Sequence, residues 1–187
     1  MKRLRFILYP LLISAAGSAT FDYRVLATSK TSTMEKEMNE AVDAGYAFHL
    51  AMGGETAAGG KEAVVVMAKQ IPGDAKGTKR YRLLATARTS SMQRETQQAA
   101  DEGFVYRSQT VFESAFGGRE VAVIMERDTS TPPARDTYKL VATSRTSTLQ
   151  KELREAGEAG FILLGLTVGK TALGGSEMVC ILKRSGS

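Results

Sequence analysis

One line of sequence is written three times, and this limits the fold more than any other feature. It reads YRVLATSKTSTM from Tyr23, YRLLATARTSSM from Tyr81 and YKLVATSRTSTL from Tyr138. The likeness runs on through Tyr23–Lys69, Tyr81–Arg127 and Tyr138–Arg184, at offsets of 58 and then 57 residues with no gap inside a unit. Self-similarity at a fixed period marks a chain of stacked supersecondary units, none of which buries its apolar face alone. A unit of this length lies near the lower limit for independent folding. The chain therefore predicts three units sharing one interior rather than beads on a string.

Each unit reads strand, helix, strand, strand. The first strand is Tyr23–Thr28, repeated as Tyr81–Thr86 and Tyr138–Thr143. A helix is expected from Ser32, Ser90 or Ser147, each followed three residues later by Glu35, Gln93 or Gln150, the spacing of a capping box. Apolar residues then recur at helical spacing: Met34, Met38, Ala41 and Val42; Met92, Ala99 and Ala100; Leu149, Leu153 and Ala156. Gly45, Gly103 and Gly160 stop the helix, where a left-handed backbone suits glycine. The second strands are Tyr46–Met52, Phe104–Val111 and Phe161–Val168, and a Gly-Gly pair precedes each third strand.

The third strands, EAVVVM, EVAVIM and EMVCIL, are apolar at both parities. A strand of that kind has both faces covered and sits in the middle of its sheet. The expected order is first–third–second, with antiparallel pairing throughout. The unit's helix covers one face and the sister units the other. The fold class that follows is α+β: three tandem βαββ repeats with mostly antiparallel sheets and helices on one face, with a pseudo-threefold arrangement as its closed form. By residue, 1–19 is a signal peptide, 20–69 the first repeat, 70–80 a Pro-bearing linker, 81–127 the second repeat, 128–137 a second linker, and 138–187 the third repeat.

Three features together carry a family likeness. The first strand opens Tyr-Arg or Tyr-Lys at Tyr23, Tyr81 and Tyr138. The helix ends in Gly plus an aromatic at Gly45-Tyr46, Gly103-Phe104 and Gly160-Phe161. The last strand closes on Lys69, Arg127 or Arg184. In these respects each repeat resembles the small bacterial DUF4177-type domains. The family pattern has Trp after that glycine, and this chain has no Trp. The likeness covers the repeats and not the linkers. It implies a fold, and carries no catalytic residue.

The net charge of +5 and the pI near 9.4 suggest nucleic acid. Three of those charges, however, are Lys2, Arg3 and Arg5, in a stretch of twenty residues without Asp or Glu. The remainder leaves no electrostatic footprint for a polyanion. The same stretch has the layout of a secretory signal: basic Met1–Arg5, apolar Phe6–Gly17, then small Gly17-Ser18-Ala19. The apolar run is well short of the roughly 20 residues of a spanning helix, which favours cleavage over a retained anchor. A periplasmic or extracellular location is expected, with no membrane contact after cleavage. Cys180 is the only cysteine, so no internal disulfide is available.

Candidate chemistry concentrates at one end of each unit. The topology gathers Lys30, Thr31 and Ser32, or Arg88, Thr89 and Ser90, or Arg145, Thr146 and Ser147, with the Gly-Gly hairpin and Glu62, Glu120 or Glu177. A helix N-terminus flanked by a cation and hydroxyls suits a small anion. Capping by Ser with Glu or Gln, and an ion pair to the hairpin Glu, would account for the same residues without a ligand. His49 aligns with Arg107 and Leu164 and lacks an orienting partner, so it is no base candidate. Cys180 aligns with Val65 and Val123 and reads as a core residue. One His and one Cys leave no metal site of the usual type, and no cofactor is expected. Tyr23, Tyr81 and Tyr138 are expected to pack their rings and keep their hydroxyls at the surface. Glu37, Glu95 and Glu152 repeat in equivalent settings, which argues against an acid/base division of labour.

The expected function is that of an exported, non-catalytic binding or structural protein, a monomer with pseudo-trimeric repeats whose partner is a protein or a small anionic ligand. The alternative is a small-anion binder using the Lys/Arg-Thr-Ser ends, and after it a hydrolase with a site between repeats. Phe112 and Phe116, which have no aromatic counterparts in the other units, mark the hairpin best suited to a partner contact.

Overall fold

The computed structural model describes residues 19–55, 61–73, 76–86, 88–113, 119–170 and 175–186. The expected signal peptide as far as Ser18, the pairs Gly59-Gly60 and Gly117-Gly118, Gly174 and Phe116 lie outside these residues, as does any account of the Phe112 side chain. The first unit comprises β1 (Thr20–Thr28), α1 (Thr31–Asp43), β2 (Ala47–Glu55) and β3 (Lys61–Ile71). The second comprises β4 (Lys79–Thr86), α2 (Thr89–Asp101), β5 (Val105–Glu113) and β6 (Arg119–Asp128). The third comprises β7 (Thr137–Thr143), α3 (Thr146–Glu158), β8 (Ile162–Lys170) and β9 (Ser176–Arg184).

Each unit is a three-stranded antiparallel sheet with its last strand in the middle: β1-β3-β2, β4-β6-β5 and β7-β9-β8. The expected strand order and repeat architecture are those observed. β3 runs on to Ile71, paired with Thr20, so the first linker is shorter than its sequence suggests. A bulge interrupts each second strand at the same place, between Phe48 and Leu50, Tyr106 and Ser108, and Leu163 and Gly165. The helices end in Schellman turns. In the first, Tyr46 N–H donates to the Ala41 carbonyl and Gly45 N–H to Val42, with Gly45 at φ +89°. The cation closing each third strand donates to the same helix end: Lys69 to the Ala44 carbonyl, Arg127 to Gly103 and Arg184 to Ala159. There it also offsets the negative end of the helix dipole.

The units stack in succession. The front of the first sheet, carrying Leu26, Ala63, Val65 and Met67, packs on α1 and on the back of the second sheet through Tyr81, Ala122 and Ile124. The front of the second sheet packs in the same way on α2 and on Tyr138, Val179 and Ile181 of the third. Among the described residues the front of the third meets only its own helix, through Leu149, Ala156, Cys180 and Leu182. Because the Tyr23 face stays exposed, no third interface of this kind joins the last unit to the first. The arrangement is an open row, not the closed pseudo-threefold form. The expectation that sister units cover the backs of the sheets holds for the second and third units and fails for the first.

Candidate functional site

The seams between units are built from side chains that the sequence invited one to read differently. Each helix begins one residue before the expected serine. Lys30, Arg88 and Arg145 are the N-caps, none of the three makes a side-chain cap bond, and Ser32, Ser90 and Ser147 are already inside the helix. No capping box forms. The hydroxyl that closes the turn is that of Thr28, Thr86 or Thr143, which accepts from the amide of the N-cap residue. Glu35 and Gln93 are thereby released for another task.

That task is to satisfy the edge of the next sheet. Strands β4 and β7 pair with a neighbour on one side only, so alternate backbone groups on the other side need partners. Glu35 accepts from Leu83 N–H at 2.8 Å. One turn on, Asn39 accepts from Tyr81 N–H and donates to its carbonyl, both at 2.9 Å. At the second seam Gln93 accepts from Leu140 N–H at 2.7 Å and donates to the Tyr138 carbonyl. Gln97 accepts from Tyr138 N–H and donates to the Asp136 carbonyl. The helix acts as a surrogate strand, its i, i+4 pair reading the edge residue by residue.

The repeated tyrosine locks the seam from the other side. The hydroxyl of Tyr81 accepts from Phe48 N–H at 2.7 Å, and that of Tyr138 from Tyr106 N–H at 2.8 Å, in both cases at the bulge of the preceding unit. Both rings are buried at 3% exposure. The hydroxyls expected at the surface are interior, because the bulge turns an amide toward them. Burial pushes the phenols of Tyr138 and Tyr106 up to about 12, and that of Tyr81 well above its ordinary value.

A charged pair sits beside each tyrosine, with reversed polarity. At the first seam buried Glu126 accepts from Tyr81 and Arg107 and lies 3.3 Å from Lys79. At the second, Lys183 takes the place of Glu126 and Asp136 that of Lys79, at 2.9 Å. Burial alone would raise the Glu126 carboxyl, but the bonds from Arg107 and Tyr81 and the charge of Lys79 leave it below its ordinary value.

The residues proposed from sequence for anion binding lie as three separate sets. Lys30, Arg88 and Arg145 are exposed, Thr31, Thr89 and Thr146 open the helices, and no described hydrogen bond or ion pair links one set to another. Nor, among the described residues, does an ion pair join these cations to Glu62, Glu120 or Glu177. Thr89 lines a small recess with Gly169 and Glu177 of the following unit, not with its own Glu120. Cys180 is buried, as its alignment with Val65 and Val123 implied. His49 lies on the exposed back of the first sheet against Tyr23, ring centroids 5.7 Å apart. Among the described residues no acidic, His or Cys cluster is gathered for a metal ion, and no helix is long and apolar enough to cross a membrane.

The two ends of the row present what the seams conceal. At the head are Tyr23 at 54% exposure, Val25 at 64%, Leu50 at 63% and Met52 at 65%. At the tail are Leu163, Leu166 and Val168, also exposed. The signal for this surface was in the sequence: a strand pattern that asks for two covered faces, one of which stays open in the first repeat among the described residues. No family model, curated protein or solved structure matches the chain.

Proposed function

We propose that the protein is exported and non-catalytic, and that it works by protein–protein contact through the ends of the row. The observation that carries this reading is the contrast between Tyr23 and its buried counterparts Tyr81 and Tyr138. Positions that line a seam in the second and third units are open in the first, where Tyr23, Val25, Leu50 and Met52 make them apolar, and such patches mark interaction surfaces. The pattern of the first twenty residues supports export. A photo-cross-linking side chain at Met52 tests the reading in living cells. It should give a protein adduct of discrete mass, where the same probe at exposed Arg94 on α2 gives none. Equal, diffuse labelling from both sites would overturn it.

A second reading is favoured by one observation, the helix starts that lack side-chain caps beside exposed Lys30, Arg88 and Arg145. Such ends suit a small anion. Titration with phosphate or sulfate followed by amide chemical shifts decides this. Saturable shifts at Thr31, Thr89 and Thr146 support it, and a flat response removes it.

A further inference from the structure

We infer that the row extends by head-to-tail docking of a second copy, the back of one copy's first sheet seating on the front of another's third. This rests on the interaction reading above and names the partner. The internal seams fix the geometry: at each, the front of one unit meets the back of the next, with the helix beside the incoming edge strand. The tail is an unused front and the head an unused back, so the two are halves of a third seam with the same polarity.

The side chains at the two ends match each other better than either matches water. At the second seam Tyr106 and Gln109 lie against Gly165 and Thr167: Gln109 donates to Thr167 at 2.6 Å, and Gly165 leaves no room for a Cβ beside the Tyr106 hydroxyl. The corresponding front residues at the tail are Leu163 and Leu166, and the corresponding back residues at the head are Leu50 and Met52. The front has become apolar at nearly unchanged volume, and the back has become larger and apolar. That exchange favours covering both faces with one another rather than with water. It gains nothing in an isolated chain, where all four residues are exposed.

The polar elements recur too. Gln150 occupies the place of Glu35 and Gln93, within reach of an edge amide at Val25, the counterpart of Leu83 and Leu140. Tyr23 carries the hydroxyl that would accept at the bulge amide of Leu163, as Tyr81 and Tyr138 do at Phe48 and Tyr106. Two features depart: Ala68 and Phe21 stand where the internal seams have their charged pair, and Arg154 stands where Asn39 and Gln97 bind the edge. The head answers it with Asp22 in place of Arg80 and Thr137. A heterologous contact of this kind builds a filament, or a ring if its rotation closes. This departs from the monomer expected from sequence, because that expectation did not separate the end units from the middle one.

Sedimentation of the purified full chain over a concentration series tests the proposal. Mass should rise past two chains with concentration. Val25→Lys at the head and Leu166→Lys at the tail should each weaken association on the order of a hundredfold, since a buried, unpaired charge opposes docking. Mixed together, the two variants should form a dimer and stop there, because one sound tail and one sound head remain. A chain that stays monomeric throughout, or a Leu166→Lys variant that assembles as well as the parent, overturns the proposal. If self-association fails while the Met52 probe still captures a different protein, the interaction reading stands and only the second-copy inference falls.

Discussion

Strands β6 and β3 have nearly the same sequence and different surroundings. In β6 every residue from Val121 to Glu126 is buried, because the second sheet has a unit on either side. In β3 burial alternates: Ala63, Val65 and Met67 are buried on the front, while Val64, Val66 and Ala68 on the back are only partly covered. The difference shows that the both-faces-apolar pattern belongs to the repeat, and that its fulfilment depends on having neighbours. A middle unit is complete, whereas an end unit carries the same chemistry on an outer face with no sister unit described against it.

The largest effect that could break this comparison is at the repeated tyrosine. Tyr81→Ala or Tyr138→Ala empties a buried site and strips an amide of its acceptor, so each should lower the unfolding free energy by about 3–5 kcal/mol in urea denaturation. Tyr23→Ala in dilute protein should cost about 0.5 kcal/mol or less. Comparable losses at all three would mean that the units are equivalent. The surrogate-strand contact sharpens the point at smaller scale. Gln93→Ala leaves the Leu140 amide without its partner and should cost about 1–3 kcal/mol, whereas Gln150→Ala should fall within about 0.5 kcal/mol.

The seams also set the response to pH. Tyr138 and Tyr106 have folded values near 12 against about 10 in the unfolded chain. Their contribution is fully present below pH about 10 and is lost as pH rises from there toward 12. Glu126 is lowered, so its contribution is present above the ordinary glutamate value of about 4.3 and is lost as pH falls through its folded value. Melting temperature against pH should therefore drop at both extremes. Glu126→Gln should flatten the acid side, and an unchanged acid limb would show that the Glu126 cluster is energetically idle. The smallest effect is expected at Thr96, whose buried hydroxyl has no partner where Met38 and Leu153 stand in the other units. Thr96→Val should be neutral or stabilising by up to about 1 kcal/mol, and a clear loss would reveal a partner for that hydroxyl.

The repeat, the strand order and the glycine stops were legible because they depend on local pattern: period, parity and the φ requirement at Gly45, Gly103 and Gly160. The site was less so. Glu35 and Gln93 stand at capping-box spacing, and nothing in a single unit tells that their partners lie in the next one. The tyrosine hydroxyls were misplaced for the same reason, since the bulge amides they meet belong to another repeat. The sequence also holds Leu50 and Met52 in the first unit and Leu163 and Leu166 in the last, and their relation shows only once the units are stacked.

Amide hydrogen exchange in dilute protein tests the open row most directly. The amides of Leu83 and Leu140, held by Glu35 and Gln93, should be protected, and that of Val25, with no described helix beside its edge, should exchange far faster. Three amides exchanging alike, whether all slow or all fast, would contradict an open succession of units with unlike ends.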